Sequence, residues 1–268
     1  MCELFAMSAR HPSTVRMSLE EFSRHGGLSG ANKDGWGLAW YDEREVCLIK
    51  EALPAAESHQ VRCLQDRPFV SPLVISHVRK ATRGAVARRN CQPCVRELGG
   101  VWHTFAHNGD LPGIEVHARS QRLGCRPVGE TDSEQAFCLL LDRLRPLWSG
   151  DAPPAHDARW HAVEAFAGEL RELGPANFLY SDGDALFAHA DRRIQSDRTI
   201  RPPGLWWLTR HCAAGGELTA DGLRIEARGQ EQEVVLLASV PLTAENWLPL
   251  ARGEVSMARA GRLQSRPV

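Results

Sequence analysis

Two stretches near the middle of the chain, 131–148 and 158–173, repeat apolar residues with a helical period, and runs of strand length lie on both sides of them. In the first, Phe137, Leu140, Leu141, Leu144 and Leu147 make one stripe. It opens Thr131-Asp-Ser-Glu134, in which Thr131 and Glu134 have capping-box spacing. The second stops at Gly174-Pro175. Strands are expected at 2–8, 35–41, 46–51, 73–78, 101–107, 177–180, 185–190, 205–209 and 234–240, and a further one at 254–258. The polar turn at 42–45 and Ser181-Asp-Gly-Asp184 read as hairpin connections. A short helix at 18–24 and a glycine loop at Gly26, Gly27 and Gly30 complete the first third. Strands, two central helices and strands again predict a layered α/β sandwich. The break near 150 is short and the pattern continues across it, so 1–268 reads as one domain, with a tail expected to fray after Arg259.

Composition narrows the function. Lys+Arg is 32 against Asp+Glu 33, a net charge of −1. That balance carries no electrostatic footprint for nucleic acid or an anionic membrane. No run approaches the ~18 apolar residues of a membrane span, and the first residues lack the basic and apolar segments of a signal peptide. The expected location is the cytoplasm, where the eight cysteines would be mostly thiols.

One of those cysteines is Cys2. Removal of Met1, usual before a small residue, would leave a residue carrying both a thiol and a free α-amine. Their ordinary pKa values, about 8.5 and 7.7–8.0, let the amine act as general base for the thiol. His77-Val-Arg79 follows the apolar run 73–76, and an arginine just beyond a buried strand suits bidentate binding of a carboxylate. Asn108-Gly109 follows the strand at 101–107. An amide side chain beside a glycine N–H offers two donors that converge as an oxyanion requires. Asp132 opens the long helix and could bind an ammonium group. Taken singly, each motif is also an ordinary turn or helix cap.

Together these pieces resemble the class II glutamine amidotransferases, a group of N-terminal-nucleophile hydrolases. The carrying residues are MCELFAMS at 1–8, KDGWGLAWY at 33–41, SHVRKATRG at 76–84, FAHNGDL at 105–111, GETDSEQAF at 129–137 and ASVPLTAENW at 238–247. Their order and spacing are most similar to small stand-alone members, among them a glutathione-degrading subunit and a γ-glutamyl hydrolase of ergothioneine synthesis. The resemblance implies an α+β fold, the four-layer αββα sandwich. It implies an amidohydrolase in which Cys2 attacks a γ-glutamyl amide and passes through a γ-glutamyl thioester. Asn108 and Gly109 would form the oxyanion hole, Arg79 would take the α-carboxylate, and Asp132 the α-ammonium group. Gly35 and Trp36 would line the pocket wall. No metal and no organic cofactor is expected. The implied ligand is a small γ-glutamyl molecule.

Large biosynthetic members add a synthase domain, for which this chain has no room. A glutaminase subunit serving a partner protein that accepts ammonia in trans is therefore the alternative, and a non-catalytic binding module a third reading. Cys91-Gln-Pro-Cys94 has the spacing of a redox or zinc motif but no second pair, and reads as two thiols on a loop. His77 and His107 could serve a thiol nucleophile, but the α-amine fills that role. The tryptophans at 206, 207 and 247 read as packing residues.

Overall fold

The computed structural model describes residues 2–17, 33–120, 124–150, 152–195, 197–213, 217–220, 223–227 and 230–265. The helix expected at 18–24 and the glycine loop after it lie outside them. The first strand, β1 (Glu3–Met17), turns successive side chains to two different apolar environments. Leu4 and Ala6 enter one core, and Phe5, Met7 and Ala9 another. It runs well past the expected 2–8, because a register shift between Ser8 and Ser13 lets it bend and keep pairing. β2 (Trp36–Asp42) and β3 (Glu45–Glu51) form the expected hairpin. Helix α1 (His59–Asp66) follows, with Ser58 Oγ accepting from Val61 N at 3.1 Å, and leads into β4 (Phe69–Val78). β5 (Cys94–Leu98) pairs with β6 (Val101–Gly109). A short helix α2 (Ile114–Ser120) precedes the two long ones, α3 (Asp132–Leu144) and α4 (His156–Leu173).

The second half returns to strands. β7 (Ala176–Ser181) and β8 (Leu186–His189) form a hairpin whose turn places Gly183 at φ 86°. β9 (Arg193–Ile194) and β10 (Ile200–Arg201) make a small ribbon. Then come β11 (Trp206–Cys212), β12 (Glu217–Ala220), β13 (Leu223–Ala227), β14 (Gln232–Ala238), β15 (Leu248–Pro249), β16 (Val255–Arg259) and β17 (Arg262–Ser265). One sheet has the order β15-β11-β14-β1-β4-β2-β3, with β13 joining the far half of β1 and β12 pairing with β13. The other runs β17-β16-β8-β7-β6-β5. All pairings in both are antiparallel.

Three cores hold the layers. Leu73, Ile75 and Leu237 meet Ala106, Leu179 and Ala188 between the sheets. Val61 and Leu64 of α1 cover the outer face of the first sheet, against Phe5, Met7 and Val74. α3 and α4 cover the outer face of the second, where Phe137 stacks on Phe105 with ring centroids 5.4 Å apart. The result is the αββα sandwich that the resemblance implied. Arg159 of α4, 1% exposed, ties its helix to the β7–β8 turn through Asp182 at 2.7 Å and Asp184 at 2.8 Å.

Three local expectations need correction. The chain after Arg259 does not fray at once: it turns at Gly261, φ 74°, and returns as β17 against β16. The capping box at α3 is half made. Thr131 Oγ1 accepts from Glu134 N at 3.3 Å, but the Glu134 carboxylate is taken by Gly129 N at 2.6 Å and by Arg96 of β5. Cys125 and Cys138, joined as a disulfide, depart from the expectation of mostly thiols, which the other six cysteines keep.

Candidate active site

The strand registers bring six chain ends to one edge of the sandwich. In the first sheet the start of β1 meets the ends of β4 and β14, with Glu3 opposite Val78 and Phe5 opposite Ala238. In the second the end of β6 meets the start of β7, with Asn108 opposite Asn177, and His189 at the end of β8 lies opposite Phe178. Pairing places the motifs around 2 and 79 together in the first sheet, and hydrogen bonds from Asn108 to the Cys2 carbonyl and from Leu111 N to Asp132 join those around 108 and 132 to them.

Cys2 is half-buried at the head of β1. Its Sγ lies 3.2 Å from both the N and the O of Lys80, so the main chain of one residue can donate to a thiolate or accept from a thiol. Burial pushes the thiol up, the Lys80 main chain and the Arg79 charge pull it down, and the Asp132 charge pushes it up again. A largely protonated thiol needs a base to attack.

Asn108, 2% exposed, donates from Nδ2 to the Cys2 main-chain carbonyl, so the oxyanion candidate also fastens the Cys2 backbone. Gly109 ends β6 where two loops nearly touch. A Cβ there would lie 1.9 Å from the Pro175 carbonyl oxygen, and one at Gly174 would lie 2.2 Å from that of Asp110. Glycine is required at both for this close approach.

Arg79, 3% exposed, directs its guanidinium into the loop that follows it. Nη1 donates to the carbonyls of Ala85 at 3.2 Å and Asp34 at 3.5 Å, and Nη2 to those of Arg83 at 2.9 Å and Gly84 at 3.3 Å. Asp132 sits in the first turn of α3, where the helix dipole favours a carboxylate. Its Oδ2 accepts from Leu111 N at 3.0 Å and its Oδ1 from Ser133 N at 2.9 Å. Gly35, φ 137°, accepts from Arg79 N at 2.8 Å and so lies beside the group. Trp36 is fully buried in the outer core of the first sheet, and its Nε1 donates to Glu51 at 3.2 Å.

Several supporting residues escaped the sequence reading. Asn90, 1% exposed, reaches Ala85 O at 2.9 Å and Glu130 N at 2.8 Å, clamping the loop that holds Arg79 to the approach to α3. Glu130 adds bonds from Ala85 N at 3.2 Å and Arg89 at 2.6 Å, and those donors hold its carboxyl down at about 2. Asp34 Oδ2 accepts from Ala81 N at 2.8 Å. Asn177 Nδ2 holds the Asn108 carbonyl at 3.1 Å. The tight glycines were the available signal: a Cβ at Gly84 or Gly129 would strike the Asn90 amide at 2.8 or 2.5 Å.

Among the described residues no histidine is hydrogen-bonded to Cys2. His107 bonds Ser133 Oγ at 3.0 Å through Nδ1. Burial pushes His77 down to about 3 and His189 to about 4, and lowers His103 and His107. These side chains stay neutral in the folded protein. On unfolding they regain an ordinary value near 6.5, so their contribution is complete above that pH and is lost as pH falls toward 3–4. At about 1.4 kcal/mol per unit, His77 and His189 should each cost roughly 2 kcal/mol by pH 5. Melting temperature is therefore expected to fall clearly between pH 7 and 5. A flat profile across that interval would contradict the burial of these rings.

Cys91 and Cys94 are both free and buried. Cys91 Sγ lies 3.2 Å from the Glu51 carbonyl, and a Cβ at Gly35 would stand 2.5 Å from it. Trp247 packs in the outer core with Phe5 and Met7, beside Trp206, while Trp207 packs on the inter-sheet core. Among the described residues no group of three or more His, Cys, Asp or Glu side chains could hold a metal ion. No helix among them is long and apolar enough to cross a membrane.

Comparison with known proteins bears on the family and the fold. The family described as glutamine amidotransferases class-II matches residues 1–267. Escherichia coli YafJ, a protein assigned as a glutamine amidotransferase, is 35% identical over 260 residues, covering 95% of this chain and 96% of its own. A crystal structure of a Pseudomonas aeruginosa protein with the same assignment superposes with a TM-score of 0.72 at 32% identity, covering 99% of this chain and 100% of the other. The Bacillus subtilis glutamine phosphoribosylpyrophosphate amidotransferase shares the fold, at 16% identity and a TM-score of 0.60, over 99% of this chain and 49% of its own.

Proposed function

The chain belongs to the class II glutamine amidotransferases, and from that premise we propose that it hydrolyses the γ-glutamyl amide bond of glutamine or a γ-glutamyl metabolite, with Cys2 as nucleophile. The observation that carries this reading is the convergence on the Cys2 thiol. Asn108 is bonded to its residue, the Lys80 main chain to its sulfur, and the charges of Arg79 and Asp132 are within electrostatic reach. After loss of Met1 the α-amine takes the thiol proton as Sγ attacks the γ-carbonyl. The second Nδ2 hydrogen of Asn108 and the Gly109 N–H receive the oxyanion. The C–N bond then breaks, the α-amine returns the proton to the leaving nitrogen, and a C–S thioester remains. Water, deprotonated by the same amine, releases glutamate and restores the thiol. Arg79 takes the α-carboxylate by exchanging some of its four carbonyl acceptors for the substrate's oxygens, and Asp132 takes the α-ammonium group.

Ammonia delivery to a partner in trans is the second reading, favoured by the family to which the chain belongs. The test is a screen of purified protein on glutamine and a set of γ-glutamyl amides. Turnover of substituted amides by the protein alone is expected. Turnover of glutamine only, and only with a partner, would replace hydrolysis by ammonia donation. Neither activity under any condition would leave the non-catalytic reading.

A further inference from the structure

Among the described residues, Arg193 is a buried cation with no anion paired to it. It follows β8 at the edge of the sandwich where the site lies, and is 8% exposed. Its Nη1 donates to the Ser239 carbonyl, and its Nε is buried with no acceptor. Among the described residues no carboxylate comes within ion-pairing distance of its guanidinium. The other arginines nearby or equally buried are served differently. Arg159 has two aspartates, Arg192 and Arg252 share Asp191, and Arg79 has four carbonyls. Glu3 acts on Arg193 only from longer range. A guanidinium withdrawn from water onto one carbonyl is costly until an anion joins it.

Its position gives that anion a source. Ser239 continues β14 and grips the start of β1: Leu4 N donates to Ser239 Oγ at 3.0 Å, and Ser239 N to Leu4 O at 3.0 Å. Arg193 is thus anchored two residues along β1 from the nucleophile, on the β14 side. Arg79 lies on the opposite, β4 side. In the second sheet Asn177 Nδ2 bridges the Asn108 carbonyl at 3.1 Å and the Arg192 carbonyl at 3.0 Å, so the arginine's own backbone adjoins the oxyanion side of the site. Across the site the order is Arg79, then Cys2 with Asn108, then Arg193. A glutamyl group held at Arg79 on the β4 side and attacked at Cys2 would extend its leaving amine toward the β14 side, where Arg193 is anchored.

We propose that Arg193 receives an anionic group on the leaving amine, so that the preferred substrates are γ-glutamyl amides whose amine half carries a carboxylate. This rests on the Cys2 reading above, and the experiment separates the two. γ-Glutamylglycine and γ-glutamylglycylglycine are compared with their C-terminal amides, which keep the shape and lose the charge. In the wild-type protein kcat/KM is expected to favour the acid about tenfold or more in at least one pair, chiefly through KM. Arg193→Gln should bring that ratio near unity, and Arg193→Lys should restore part of it. A general folding defect would lower acid and amide alike and leave the ratio in place. Wild-type turnover with no preference for the acids overturns the Arg193 proposal and leaves the Cys2 reading standing, as does a preference that survives in Arg193→Gln. No turnover of any of the four overturns the Arg193 proposal, and the Cys2 reading falls with it if glutamine is not turned over either.

Discussion

Replacement of Cys2 by alanine is expected to lower γ-glutamyl hydrolysis by roughly 10³-fold or more, since without the thiol only positioning and oxyanion stabilisation remain. Cys2→Ser should be nearly as damaging, because a hydroxyl ionises far less readily than a thiol. The fold should tolerate both. Cys2 precedes the first ladder pair of β1 and packs in none of the three cores. Intact mass of the wild-type protein is the companion measurement. Loss of Met1 and a transient γ-glutamyl adduct on the acid-quenched enzyme are expected. Undiminished hydrolysis by Cys2→Ala would end the mechanism.

The second large effect is expected at Asn108. Asn108→Ala should lower kcat by ~10²–10³ with a smaller change in KM, the signature of a donor used in the transition state. The side chain has two tasks here, since the same Nδ2 fastens the Cys2 carbonyl. A steady-state loss shared between kcat and KM would indicate that fastening, rather than oxyanion binding, dominates. Iodoacetamide labelling separates these effects further. If Asn108 acts on the oxyanion, the variant's thiol should label at a rate close to wild type, because alkylation builds no oxyanion.

The parts of this molecule that could be read from the sequence are those whose signal is local. The β2–β3 and β7–β8 hairpins and the two long helices fall close to the predicted positions, because turn residues and a one-sided stripe announce them. Strands buried on both faces announce little. In β14, Val234 and Leu236 enter one core and Val235 and Leu237 another, which erases the alternation and leaves only an apolar run. Helix α1 offers just Val61 and Leu64 as buried residues, too few to show a period. The site divides the same way. Cys2, Arg79, Asn108 and Asp132 stand in recognisable motifs, and the structure gathers them at one edge. Asn90 and Glu130 are 40 residues apart and make an ordinary-looking pair until the chain folds back. Glu134 has capping-box spacing, yet Arg96, brought in on β5, takes its carboxylate instead.

Strand β1 has hydrogen-bonded neighbours on both edges, β4 along one and β14 then β13 along the other. Strands paired in this way open only with the whole molecule, while edges and loops open singly. Cys2 is mounted at the end of that last-opening unit. Local breathing of the helices or the ribbon then leaves the thiol in register with Lys80 and Asn108. The geometry of the proposed site and global folding are in that sense one cooperative property of this chain.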